Sequence, residues 1–107
     1  MLIFMQLKTQ LYIDGKWVNG ASTLAVTDPS DNSVIANVQV SSDKECADAV
    51  DAAARAFKSW SKTAPRVRGE VLRKAFEIMV AEADRLAEIV SKENGKVLTD
   101  AKGEILY

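Results

Sequence analysis

Few residues in this sequence could carry chemistry, and their spacing assembles no reaction centre. Histidine is absent and cysteine occurs once, as Cys46. A serine or cysteine nucleophile of the triad type needs an imidazole to take its proton, so that arrangement is excluded, as is any metal held by histidine or by a set of thiolates. Neither a G-x-G-x-x-G turn nor a Walker-type loop is present; the glycines at 15, 20, 69, 95 and 103 are scattered. Cys46 follows a helix start, where the dipole would lower a thiol pKa. It also opens an apolar stripe and has no base beside it, so it is expected in the core. Trp17 and Trp60 could stack on a ligand ring, but packing is the stronger reading for both.

The remaining candidates are charges and caps. Arg66, Arg68, Arg73 and Lys74 run along one segment and could hold an anion. Glu70 and Glu77 interleave with them at helical spacing, Glu70 to Arg73 and Glu70 to Lys74 among them, which favours a solvated ion-pair face. Thr63-Ala64-Pro65 at a helix start could accept a phosphate, but capping alone explains it. Glu93, Asp100 and Glu104 could each give an oxygen to a cation; helix dipoles and solvent account for the first two, which leaves Glu104.

The elements that must position these residues fall into two halves. Leu11-Tyr12-Ile13 and Lys16-Trp17-Val18 flank Asp14-Gly15, and an Asp-Gly pair between such runs predicts a hairpin, because a type I′ turn needs positive φ at both central residues. Asn19-Gly20 allows another reversal. Thr23 to Val26 reads as a strand ending at the turn cluster from Asp28 to Asn32. Val34, Ala36, Val38 and Val40 alternate on one face of a further strand. From Ser42 the period changes. Ser42 and Glu45 have capping-box spacing, and Cys46, Ala49, Val50, Ala53, Phe57 and Trp60 recur in helical steps. Thr63 is expected to cap a second helix, with Pro65 in its first turn. Two neighbouring stripes there, Val67-Val71-Ala75-Ile78-Met79 and Leu72-Phe76-Val80-Ala83, make an arc wide enough to be covered on more than one side. A break near Ala83-Asp84 leads into a third helix closed at Asn94-Gly95. Thr99 is expected to cap a fourth, two turns long by Tyr107. The expected class is therefore α+β: a hairpin and strands followed by three to four helices.

Composition narrows the partners. Nearly half of the 107 residues are apolar, 27% are charged, and the net charge is −1. That is a globular balance without the basic excess that a phosphate backbone requires, so no nucleic acid is expected. No apolar run approaches the roughly 20 residues that span a bilayer, so no membrane partner is expected. A single cysteine fits a reducing, cytoplasmic setting. The apolar start Met1 to Met5 lacks the basic flank and cleavage site of a signal peptide, and Met5 is a second candidate start.

Ordered motifs across residues 10–107 resemble the NAD(P)-dependent aldehyde dehydrogenases. Leu11-Tyr-Ile-Asp-Gly-Lys-Trp-Val18 is similar to their first hairpin. Val26-Thr-Asp-Pro-Ser-Asp-Asn-Ser-Val-Ile-Ala36 resembles the turn NP-x-(T/S)-G-x-x-(I/L)-A, with Asp28 in place of asparagine and Asn32 in place of glycine. Val50-Asp-Ala-Ala-Ala-Arg-Ala-Phe57 with Trp60, Arg68-Gly-Glu-Val-Leu-Arg73, Glu93-Asn-Gly-Lys96 and Lys102-Gly-Glu-Ile105 follow in family order, with Val97 where proline is usual. The resemblance implies that residues 10–107 form the N-terminal part of the cofactor-binding domain of an α/β dehydrogenase, truncated before its catalytic groups, with residues 1–9 an extension.

It implies an enzyme that oxidises an aldehyde through a cysteine thioester, passes hydride to NAD or NADP, and binds the oxyanion with an asparagine and a backbone amide. No catalytic or cofactor-binding residue carries over to this stretch. A structural cation would be held at Val26 and Glu104. The motifs from Lys62 to Lys74 and from Ala101 to Ile105 are most similar to succinate-semialdehyde dehydrogenases, with glutarate-semialdehyde and betaine-aldehyde enzymes close. The implied partners are the remainder of the dehydrogenase chain, a small aldehyde and further copies in a homo-oligomer. The rival readings are a stand-alone interaction module that exposes its apolar helix faces and an anion-binding regulatory domain built on the arginines.

Overall fold

The structure is a computed structural model that describes residues 7–107. The expectations for Met1 to Met5, and most of the extension assigned to residues 1–9, lie outside the described residues. Thr9 is tied to the fold: the Gln39 amide donates to its carbonyl at 2.8 Å.

Strands β1 (Leu11–Ile13) and β2 (Lys16–Val18) form the expected hairpin, with Tyr12 opposite Trp17. Asp14 and Gly15 both have positive φ, 51° and 75°, as a type I′ turn demands. Strands β3 (Ser22–Thr27) and β4 (Val34–Val40) form a second, separate antiparallel pair. Its register runs from Ser22 opposite Val40 to Val26 opposite Ala36, then slips so that Thr27 faces Val34. Ile35 is the extra residue, and this bulge interrupts the single-faced alternation expected from Val34 to Val40. The turn between β3 and β4 is built by short side chains bonding their own backbone. Asp28 Oδ1 accepts from Ser30 N, and Asp31 Oδ1 from Ser33 N, each at 2.8 Å. Asn32 takes the left-handed conformation at φ 61°, as its type allows.

Helix α1 (Asp43–Trp60) starts at the capping box read from the sequence. Ser42 Oγ accepts from Lys44 N, and Glu45 Oε2 accepts from Ser42 N at 2.7 Å. Helix α2 (Pro65–Ala81) departs from expectation at its cap. Ala64, not Thr63, is the N-cap, because the residue before proline is held extended, here at ψ 136°. Thr63 Oγ1 instead donates back to the Ser59 carbonyl at 3.3 Å, at the end of α1. Helix α3 (Ala83–Asn94) follows after Glu82, which serves both helix ends, and closes on Gly95 at φ 74°. Helix α4 (Leu98–Leu106) begins two residues earlier than expected. Val97 is its cap, since its carbonyl takes the first two helical amides, Asp100 N and Ala101 N. Thr99 therefore lies inside the first turn and caps nothing.

The core is small. The only buried apolar residues among those described are Ala52, Ala83, Ala87 and Ala101. Three of the four lie on α3 and α4, where short side chains allow close approach, and Lys102–Asp84 (2.5 Å) ties the two helices together. Large apolar side chains stay out: Val50, Phe57 and Leu72 are 68%, 66% and 73% exposed. The radius of gyration, 16.9 Å, exceeds the roughly 13 Å of a compact domain of this length. The elements stand around no common interior.

Candidate functional site

The structure corrects the placement of Cys46. It is exposed, although it opens the apolar stripe of α1 as expected. The start of that stripe faces the β1–β2 hairpin, along a shallow groove lined by Leu11, Ile13, Ser41, Cys46 and Ala49. The Sγ lies 3.3 Å from Ser41 Oγ, a partner that cannot act as a base. The exposed thiol therefore has contact but no activating group.

The tryptophans are also less covered than packing alone predicts. Trp17 is half exposed and leans on Tyr12 across the hairpin, with ring centres 4.9 Å apart and planes tilted by 54°. Lys8 Nζ sits 5.6 Å over the same ring, within cation–π range, and Arg55 reaches Asp14 at 3.2 Å to tie the hairpin to α1. Trp60, at the end of α1, forms one wall of an open groove of about 460 Å³ with Pro65, Arg68, Gly69, Val71 and Leu72.

The arginine-rich helix divides into two faces. Arg73 pairs with both Glu70 and Glu77, which builds the expected ion-pair face, though Glu70 takes Arg73 and not Lys74. Arg68 belongs elsewhere. It is half-buried in the groove beside Trp60, one turn before Leu72. Sequence spacing held the signal, since Arg68 falls on the apolar arc of α2, but grouping it with its basic neighbours hid it.

The two residues expected to hold a cation lie on different elements. Val26 is in β3, opposite Ala36, next to the bulge. Glu104 is on α4, where its carboxylate accepts from Lys96 Nζ. Their neighbourhoods do approach each other. Pro29, in the turn after β3, lies so close to Gly95 that a Cβ there would sit 3.2 Å from its Cγ, and Lys96 follows Gly95 directly. Ser91 Oγ fixes that loop by donating to the Lys96 carbonyl at 2.7 Å. Among the described residues no group of three or more acidic or cysteine side chains surrounds either position, and no helix is long and apolar enough to cross a membrane. Glu93 and Asp100 are exposed on α3 and α4.

Among the described residues, clear electrostatic perturbation occurs at the start of α1 and in the β3–β4 turn. The Ser42 hydroxyl, then its backbone amide, hold the Glu45 carboxyl below its ordinary value, and Ser33 does the same for Asp31. Asp48 raises Lys44 across one helical turn. Asp31 and Lys44 are exposed and Glu45 is partly covered, and each shift follows from a local structural contact.

Comparison with known proteins agrees with this picture of a framework. The aldehyde dehydrogenase family model matches residues 17–107. A succinate-semialdehyde dehydrogenase [NADP(+)] of Saccharomyces cerevisiae is 42% identical over 97 residues, covering 90% of this chain and 20% of that protein. A malonate-semialdehyde dehydrogenase of Bacillus pumilus is 43% identical over 96 residues, covering 88% of this chain and 20% of its own length. The crystal structure of an aldehyde dehydrogenase from Brucella melitensis superposes with a TM-score of 0.94 at 38% identity, over 100% of this chain and 23% of that one. The chain thus spans about a fifth of the length of the relatives it matches.

Proposed function

Since the chain belongs to the aldehyde dehydrogenase family, an oxidoreductase family, we propose that it is the N-terminal structural segment of an enzyme that oxidises an aldehyde, foremost succinate semialdehyde, to its carboxylate with NAD or NADP. The observation that carries this reading is the superposition of every described element on a dehydrogenase fold at a TM-score of 0.94. The succinate preference rests on the yeast relative, and the similarly close malonate-semialdehyde relative is its competitor. Residues 10–107 would form the first part of the cofactor-binding domain, partnered by the rest of the dehydrogenase polypeptide in a cytoplasmic homo-oligomer.

In this reading the chain's own residues supply support and no catalytic group. The α3–α4 pair, closed by Ala87 and Ala101 and by Lys102–Asp84, is the closely packed unit; the two hairpins are attached to it and to α1. Residues 1–107 alone are expected to reduce neither NAD nor NADP with succinate semialdehyde, whereas a polypeptide carrying this segment at the relatives' full length is expected to do so. The test is the 340 nm absorbance of both proteins with succinate and malonate semialdehydes, and turnover by the 107-residue chain would overturn the assignment.

The cation at Val26 and Glu104 belongs to the same proposal. The Pro29–Gly95 contact supports it, and one condition attaches: a cation must replace the Lys96 ammonium at Glu104. Potassium is then expected to raise the melting temperature of the full-length protein, and Glu104→Gln to abolish the increment; an increment unchanged by that substitution would remove the assignment.

The exposed apolar helix faces favour a second reading, a non-enzymatic interaction module. A full-length protein that binds a partner yet oxidises no aldehyde would establish it.

A further inference from the structure

Asparagine precedes glycine twice in the chain, at Asn19-Gly20 and at Asn94-Gly95. Asparagine is thermolabile, and most so before glycine. The glycine amide nitrogen attacks the side-chain carbonyl carbon, a C–N bond closes a cyclic imide, and ammonia leaves. Water then opens the imide to aspartate or isoaspartate. Glycine favours this closure because it has no Cβ in the way and a wide choice of φ and ψ. At position 20 the glycine is obligatory, since a Cβ there would strike the Val40 carbonyl oxygen. The join between the two β pairs therefore needs the residue that makes Asn19 labile. Both reacting groups are held by glutamines. The Gly20 amide donates to Gln39 Oε1 at 2.9 Å in a part-buried bond, and Asn19 Oδ1 accepts from Gln10 Nε2 at 2.9 Å. Gln39 is itself fixed in β4, opposite Thr23, with its own amide on the Thr9 carbonyl next to Gln10. Ring closure turns the Gly20 nitrogen and the Asn19 side chain toward each other, so both bonds must be given up. Stripping a part-buried amide of its acceptor is unfavourable.

We propose that Asn19-Gly20 is a latent deamidation site, held unreactive by the Gln10 and Gln39 side chains. Opening of this clamp commits Asn19 to aspartate or isoaspartate. Isoaspartate lengthens the main chain by a methylene just where Gly20 is wedged against Val40, so the join cannot close again as before. Asn94-Gly95 is protected differently. Asn94 ends α3, and the Gly95 amide donates to the Ser91 carbonyl at 2.8 Å. Its safety depends on the helix and on no glutamine, which makes it an internal gauge of general unfolding.

The test incubates the full-length protein at neutral pH and follows Asn19 and Asn94 by tandem mass spectrometry of the tryptic peptides Trp17–Lys44 and Glu93–Lys96. The free Trp17–Lys44 peptide serves as the unprotected reference. Asn19 is expected to react more slowly in the protein than in that peptide. Gln39→Leu is expected to speed its loss about fivefold, the weight of one net hydrogen bond, and Gln10→Ala to speed it by less, because that bond is exposed. Gln39→Glu, which keeps an acceptor for the Gly20 amide, is expected to retain the slow rate. Asn94 should react at the same rate in every variant. Equal rates for Asn19 in the protein and the free peptide would overturn the proposal. So would an unchanged rate in Gln39→Leu, or acceleration at Asn94 in step with Asn19, which would assign the protection to overall stability. None of these outcomes bears on the dehydrogenase reading, which is judged by aldehyde oxidation.

Discussion

A serine and a glutamate three residues apart start α1. Glu45 closes the first turn by accepting from both the Ser42 hydroxyl and its amide, and this bonding favours its charged form. A carboxyl whose folded value is depressed contributes stability that is present above its unfolded value, about 4.3. That contribution is lost as pH falls through the lower folded value. Helix content of α1, followed by circular dichroism on acidification, is therefore expected to drop over that window. Glu45→Gln should flatten this part of the curve, and Ser42→Ala should lower helicity at neutral pH as well. A curve identical to the parent's in Glu45→Gln would show that the box is decorative. The same scale explains the misplacement of Thr63 and Thr99. Both are good caps by type, but Pro65 forces Ala64 into the extended cap position and Val97 supplies the first carbonyl of α4.

Among elements, the join between the two β pairs depends on a residue with no side chain. Gly20 passes over the end of β4, its amide donating to Gln39 Oε1 at 2.9 Å while Ala21 N reaches the Val40 carbonyl at 3.0 Å. A Cβ at position 20 would fall inside contact distance of that carbonyl oxygen, which belongs to backbone and cannot swing aside. Gly20→Ala is expected to destabilise the chain by about 1–3 kcal/mol, the usual cost of overpacking. Gly69→Ala, where an added methyl meets open space on a helix, should stabilise α2 slightly. Urea titration of both variants checks the pair, and equal midpoints would contradict the close approach. Asn19-Gly20 reads as a reversal in the sequence; that its glycine is needed for contact with β4 is a tertiary fact.

Taken whole, the chain resembles an assembly with its interior exposed. Its buried apolar residues are alanines, and its valines, leucines and aromatics face outward over α1 and α2. Apolar surface in continuous stretches drives association. The 107-residue chain is expected to bind an environment-sensitive dye and to self-associate with rising concentration. A triple change of Val71, Leu72 and Phe76 to lysine should reduce both effects without loss of the α3–α4 pair. Sedimentation and dye fluorescence read this directly, and a compact monomer that ignores the dye would refute it.

Local chemistry written in the sequence determined the turns, most helix limits and the family. The Asp14-Gly15 and Asn32 turns, the Ser42 box and the Gly95 stop all depend on atoms within a few residues of one another. Six ordered motifs carried the family, and three of them contain such a device: the first hairpin, the turn at Asn32 and the stop at Gly95. Val26 was nameable only through that resemblance; Glu104 stood out as a carboxylate that helix dipoles did not account for, but no local pattern pairs the two. Tertiary structure alone decided what covers each face. Cys46 has the spacing of a core residue but lies exposed, because burial depends on distant chain, and helical period says which residues share a face without saying what meets it. Arg68 shows the same division: its position on α2 follows from counting residues, while its isolation beside Trp60 emerged only once α1 and α2 were placed together.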